Sequence, residues 1–334
     1  MFYRLSLLLL AMTLPLAAHS ADRNVLNVYT HPSFAAEWGP GPGVKEAFEK
    51  QCDCTLNYTV LNSGGDILQR LRLEGASTPA DLVLGLDTAT METALRTGLI
   101  VEHGRSLEAL DLPIDWDDAH FIPYDWGYFA FVYDTQQLPE PPTSFEELIN
   151  APDDLKIIIQ DPRTSTPGLG LLLWMHSVYG EEASAKWEQL NDKVLATTQS
   201  WSDGYFSLFM NGEAPMILSY STSPAYHMAV DKTDRYQAVQ FDEGHYLQVE
   251  VAALVKSSNQ KTLARSFLDF MLTPEFQTHI PLKNVMYPAI DLGDDLPSVF
   301  DRLITPEHTF FLPPAEVAGQ RRQLVNNWLD AMTR

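Results

Sequence analysis

Short apolar strand-like runs alternate with amphipathic helical patterns along this chain, and that alternation leaves few architectures open. Val25 to Thr30, Thr55 to Val60 and Asp81 to Leu86 read as strands. Between and after them, Lys45 to Gln51, Asp66 to Glu74 and a segment opened by Thr88 and stopped at Gly98 read as helices. In Asp66 to Glu74, Ile67, Leu68, Leu71 and Leu73 are expected to face a core, with Gly75 as the stop. A βαβαβα order of this kind requires a mainly parallel sheet with helices on both faces. A second set follows, with strands at Tyr128 to Tyr133, Lys156 to Ile159 and Met216 to Ser219. Its helices fall at Gly168 to Tyr179, Ala183 to Leu190 and near Ala225, followed by Leu263 to Met271 and Ala315 to Met332. Tyr246 to Val255 is a long apolar strand able to cross between halves. With no internal repeat and no flexible linker, 334 residues divide into two α/β lobes with a cleft between them.

Charge and cysteine usage narrow the function. Asp and Glu number 44 against 22 Lys and Arg, a net charge of −22, so the surface repels phosphate backbones and a nucleic-acid partner is excluded. Two Cys are too few for a disulfide-rich scaffold or a structural zinc site. Cys52-Asp53-Cys54 sits between a helix and a strand and reads as a structural disulfide pair, with free thiols or an intermolecular bond as alternatives. Asp53 opposes the thiolate that catalysis needs. At the N-terminus, Arg4 precedes an apolar run from Leu7 to Leu16 and the small residues Ala17 to Ala21. The run is about half of what a spanning helix needs, so residues 1–21 read as a secretory signal peptide cleaved near Ala21.

Catalytic signatures are missing: the sequence holds no G-x-S-x-G, H-E-x-x-H, Walker A or EF-hand pattern, and its His residues are scattered singly. No catalytic or metal-ligating residue is assigned. Ser258 to Lys261 matches S-x-x-K in spacing alone. Gly39, Gly41 and Gly43 alternate with Pro40 and Pro42, whose absent N–H groups argue for a stiff turn rather than a phosphate cradle. Two hydroxyl-rich turns are more informative. Gln160 to Gly170 (QDPRTSTPGLG) follows a strand and opens a helix, which supplies unpaired N–H groups and a positive dipole end for an anion. Ser219 to Pro224 (SYSTSP) repeats the placement, so both turns can face one cleft at the carboxyl ends of strands. Trp201 lies in a polar run, where it serves either as a helix-start anchor or as a stacking platform for a flat or cationic ligand.

These runs carry a resemblance. YT-x-x-SFAAEWGPGP, LRLEG, VLGLD, GYFAFVYD, IIIQDPRTSTPGLGLLLWM, LSYSTSPAYH, EGHYLQVEVAA and AEVAGQRR resemble the periplasmic thiamine-binding proteins of bacterial thiamine ABC transporters, over nearly the whole chain. The resemblance implies an α/β, two-lobed periplasmic-binding-protein fold of type II, its cleft between lobes joined by crossing strands. Lobe one is expected at 22–125 plus about 250–285, and lobe two at 126–249 plus about 286–334. It implies binding without catalysis of thiamine, thiamine monophosphate or thiamine diphosphate. A monomer in the periplasm, served by an inner-membrane permease and its ATPase and using no cofactor, is expected. By the same resemblance Ser63, Gly64, Ser165, Thr166, Trp201, Tyr220, Ser221, Thr222, Ser223 and Tyr226 are the ligand-binding positions. Three positions depart from the family, which carries a Tyr at His31, an acid at Ser63 and a Trp at Val285. The competing readings are a thiamine-degrading enzyme of the same fold, which needs a cleft Cys nucleophile, and a receptor for another small cation.

Overall fold

The computed structural model describes residues 24–333, so the export segment read at residues 1–21 lies outside the described residues. In chain order the strands are β1 (Val25–Thr30), β2 (Thr55–Val60), β3 (Leu82–Asp87), β4 (Ile100–Val101), β5 (Phe121–Asp134), β6 (Ile157–Gln160), β7 (Val194–Thr198), β8 (Met216–Tyr220), β9 (Tyr236–Ala238), β10 (His245–Val255), β11 (Tyr287–Pro288) and β12 (Thr309–Phe310). The helices are α1 (Pro32–Ala35), α2 (Gly41–Cys52), α3 (Gly64–Glu74), α4 (Met91–Leu95), α5 (Phe145–Ile149), α6 (Thr166–Tyr179), α7 (Ala183–Asn191), α8 (Ser223–Tyr226), α9 (Lys261–Met271), α10 (Pro274–Gln277), α11 (Ile280–Lys283) and α12 (Pro314–Met332). None of the described helices is long and apolar enough to cross a membrane.

The main strands run in the order β2-β1-β3-β10-β5-β8-β6-β7. β1, β2 and β3 are parallel at one end, and β6, β7 and β8 are parallel at the other. β5 and β10 join the halves. Phe121 to Tyr128 of β5 pair antiparallel with β10, whereas Phe129 to Tyr133 pair with β8. Alternate side chains of β5 feed opposite faces: Ile122 and Tyr124 enter one apolar cluster and Phe121 and Tyr128 another, and beyond the crossing Phe129 and Phe131 enter a third, Ala130 and Val132 a fourth. Burial on both faces explains why YFAFVY and much of β10 read as continuous apolar runs rather than alternating ones.

Local outcomes differ from the sequence pattern in ways that packing explains. Leu73 is 85% exposed instead of facing the core. Ile67, Leu68 and Leu71 occupy one stripe of α3, and position 73 falls outside it at 3.6 residues per turn. The Thr88 segment contracts to the five residues of α4. The Gly-Pro stretch is not a free turn: Pro40 caps α2, and Gly41, Pro42 and Gly43 form its first turn, where a missing N–H leaves no helical bond unmade. Cys52 and Cys54 are joined as a disulfide, leaving no free cysteine among the described residues.

Candidate functional site

Both halves aim the carboxyl ends of their parallel strands at the junction where β5 and β10 cross, the position at which α/β sheets present ligand-contacting loops. On the first half, β1 leads into His31, β2 leads to Ser63 and Gly64, and β3 ends at Asp87. The elements approach closely. A Cβ on Gly64 would lie 2.7 Å from the Gly85 carbonyl oxygen, and one on Gly85, which sits at φ +111° within β3, would lie 2.3 Å from the His31 ring. Glycine at 85 therefore lets the imidazole lie flat against the strand.

The junction is floored by buried carboxylates. Asp87, Glu250 and Asp125 are cross-strand neighbours on β3, β10 and β5. Tyr124 Oη donates to Glu250 Oε2 at 2.5 Å, Asn284 Nδ2 donates to Asp125 Oδ2 at 2.5 Å and reaches Glu250 at 3.4 Å, and His31 Nε2 stands 3.6 Å from Glu250. Burial and then the Glu250 charge push the Asp125 carboxyl well above its ordinary range. Burial acts the same way on Glu250, but the His31 charge and the hydrogen bonds from His31, Tyr124 and Asn284 outweigh it and hold that carboxyl low. The pair thus keeps its negative charge on Glu250 and a proton on Asp125. Asp125 Oδ1 and Gln248 Oε1 are buried and have no hydrogen-bond partner among the described residues.

The second half contributes the hydroxyl turns and the aromatics. Ser165 stands at the N-cap of α6 yet makes no capping hydrogen bond, so capping alone does not explain it. Thr166 Oγ1 donates to Asp87 Oδ2 at 3.2 Å, a bond that runs from one half to the other. Tyr220 contacts the apolar clusters of both halves, and its buried phenol feels Glu250, Asp87 and Asp125 while hydrogen-bonding Gln248. Ser221 Oγ is buried without a protein partner. Ser223 Oγ meets Ser219 Oγ at 2.8 Å, and Thr222 Oγ1 points to Met286. Trp201 Nε1 donates to Ser219 Oγ at 2.8 Å, which ties the ring to β8, and Tyr226, the last residue of α8, is 38% exposed. Ser63, by contrast, spends its hydroxyl capping α3 through the Asp66 amide.

The carboxylates were not among the residues singled out from the sequence. Their signal is an isolated acid inside an apolar strand, as in LVLGLD, FIPYDWGYF and YLQVEVAALV, because a charge buried in a sheet needs partners to offset desolvation. Val285 carries a second unread feature. It follows Asn284, whose amide holds Asp125, precedes Met286, whose methyl would lie 3.0 Å from a Cβ on Gly127 and whose sulfur faces Thr222, and adopts φ +56°. A β-branched residue in the left-handed region is strained by about 1–2 kcal/mol. Val285→Asn is therefore expected to raise the unfolding free energy by about 1 kcal/mol, read as a higher urea midpoint at an unchanged slope; an equal or lower midpoint would refute the strain.

Aromatic rings, buried carboxylates and the α6 N-terminus are the groups that suit a flat cation with an anionic tail. Comparison with known proteins agrees in kind. Residues 39–278 match the family described as bacterial extracellular solute-binding protein. The thiamine-binding periplasmic protein of Brucella abortus biovar 1 is 51% identical over 95% of this chain and 94% of its own length. That of Escherichia coli is 48% identical over 98% of each. A solved periplasmic thiamin binding protein superposes with a TM-score of 0.89 at 49% identity, covering 93% of this chain and 96% of that one. The apo ferric ion-binding protein A of Pasteurella haemolytica, at 14% identity and a TM-score of 0.77 over 92% of this chain and 98% of its own, shares the fold alone.

Proposed function

The chain belongs to the bacterial extracellular solute-binding proteins, and from that premise we propose that it captures thiamine or a thiamine phosphate in the periplasm for an ABC transporter. The observation that carries the reading is identity of 48–51%, over almost the whole chain, to thiamine-binding periplasmic proteins. The chemistry of the cleft supports it. Thiazolium is a flat cation suited to the Trp201 and Tyr226 faces above a carboxylate floor. The aminopyrimidine brings both donors and ring-nitrogen acceptors, which match the open Gln248 Oε1 acceptor and the protonated Asp125 Oδ1. A phosphate tail suits Ser165, Thr166 and the α6 N-terminus, with Ser63, Gly64, Tyr220, Ser221, Thr222 and Ser223 completing the enclosure.

On this reading lobe one comprises residues 22–125 and about 250–285, and lobe two residues 126–249 and about 286–334; the crossing of β5 and β10 between these groups favours the division. Ligand shifts an open–closed equilibrium because only the closed form presents both sets of contacts. The working protein is a monomer without metal or cofactor. After export and removal of residues 1–21, it hands its cargo to a permease powered by an ATPase. Binding proceeds without cleavage: the two cysteines share a disulfide between α2 and β2, so no thiol is available as a nucleophile.

Calorimetric titration with thiamine and its mono- and diphosphate, followed by recovery of ligand from denatured protein, tests the reading. One-site binding and intact ligand are expected. Free pyrimidine or thiazole fragments would indicate the enzyme, and failure of all three to bind would exclude thiamine as cargo.

A further inference from the structure

Behind Trp201 lies a chain of polar side chains that the capture scheme above does not use. Asp203–Leu208 and His227–Asp231 are both π-helical turns, a rare geometry concentrated at functional sites. Their side chains meet. Tyr205 Oη lies 2.8 Å from His227 Nε2, and His227 Nδ1 lies 2.8 Å from Asp231 Oδ2. Tyr205 and His227 are each 3% exposed. The Tyr205 ring stacks on Trp201 at 4.8 Å and lies parallel to the His227 ring at 6.0 Å, while Tyr226 stands edge-on to His227 at 5.9 Å. One buried imidazole therefore meets Tyr226 directly and Trp201 through Tyr205.

We propose that Tyr205, His227 and Asp231 are a positioning relay that fixes the Trp201 and Tyr226 rings for a cationic ligand, and that a proton on His227 loosens it. The proposal rests on the ligand reading above only for the identity of the cation. Asp231 accepts from Nδ1–H, which leaves Nε2 to accept from the Tyr205 hydroxyl. A proton on Nε2 turns that acceptor into a donor. The Tyr205 hydroxyl must then rotate its hydrogen away, and positive charge appears behind the face meant for a cation. Burial holds His227 below the ordinary imidazole range although Asp231 pulls it up, so the relay is intact at neutral pH. The other titratable groups facing the ring are Tyr205, Tyr226 and Tyr236, the last at 4.6 Å and covered by Arg235.

The test uses the mature protein and two readouts. In nitrogen–proton correlation spectra, the Trp201 indole N–H, identified by its loss in Trp201→Phe, should titrate as pH falls from about 8 to about 4 and should stop doing so in His227→Gln and Tyr205→Phe. Thiamine affinity at neutral pH should fall about three- to tenfold in Tyr205→Phe, which keeps the stacked ring and removes only the hydroxyl. A Trp201 signal that titrates unchanged in both variants, or wild-type affinity in Tyr205→Phe, overturns the relay. If the parent protein binds no thiamine while the titration behaves as expected, the cargo reading fails and the relay stands. Should His227→Gln not fold, Tyr205→Phe alone decides.

Discussion

Trp201→Ala is expected to weaken thiamine binding about tenfold or more. The indole is held by Tyr205 stacked behind it at 4.8 Å, by Phe206 edge-on at 5.4 Å and by its own N–H to Ser219. A face so fixed loses little freedom when a ligand stacks on it, which preserves the ~1–2 kcal/mol that a desolvated cation–π contact supplies, and 1.4 kcal/mol is already about tenfold in affinity. Truncation also leaves the Ser219 hydroxyl with only Ser223. Trp201→Phe separates the terms, since it keeps a smaller π face while losing the Ser219 bond, and should retain part of the affinity. Calorimetry against thiamine and against an uncharged, isosteric analogue provides the check. Equal losses for both ligands in Trp201→Ala would mean that the ring contributes bulk and not its electrostatic face.

Much of this was legible because it follows from period and punctuation. The strand–helix alternation, the long crossing strand and the two hydroxyl turns at strand ends depend on residues close in sequence. The carboxylate floor was not, because Asp87, Asp125 and Glu250 come from three strands and become neighbours only through register. The first seven residues of β5 escaped for a related reason: Pro123 and Asp125 break a strand pattern locally, and pairing with β10 overrides it. The relay behind Trp201 depends on two π-helical turns, which packing between Tyr205 and His227 sets and propensity does not encode. Ser63 shows why a helix-start serine is ambiguous in sequence: phosphate contact and capping call for the same residue, and here its hydroxyl caps α3.

The largest stability effect is expected at Glu250. Its side chain is 15% exposed and receives hydrogen bonds from Tyr124 and Gln248, with Asn284 at 3.4 Å and His31 at 3.6 Å. Glu250→Ala removes the acceptor common to these groups and leaves a polar cluster uncompensated, which is expected to cost about 3–5 kcal/mol. Glu250→Gln keeps one acceptor oxygen and should cost about 1–3 kcal/mol. The pH dependence of the Gln variant carries the electrostatic content. Asp125 is raised in the folded state, so its contribution is full below its unfolded value and is lost as pH rises through the folded one. Removing the Glu250 charge lowers that folded value, so the variant loses less at high pH and the gap from the parent narrows there. Glu250 itself is held low, so its contribution is present above its unfolded value of ~4.3 and disappears as pH falls through the folded one; the gap narrows on the acid side too. The difference in unfolding free energy between parent and Glu250→Gln should therefore be largest between the ordinary carboxylate range and the raised Asp125 value, and shrink in both directions. Urea titrations at a series of pH values measure it. A gap that stays level or widens toward alkaline pH would mean that the Glu250 charge does not raise Asp125, and would overturn the shared-proton arrangement of the cleft floor.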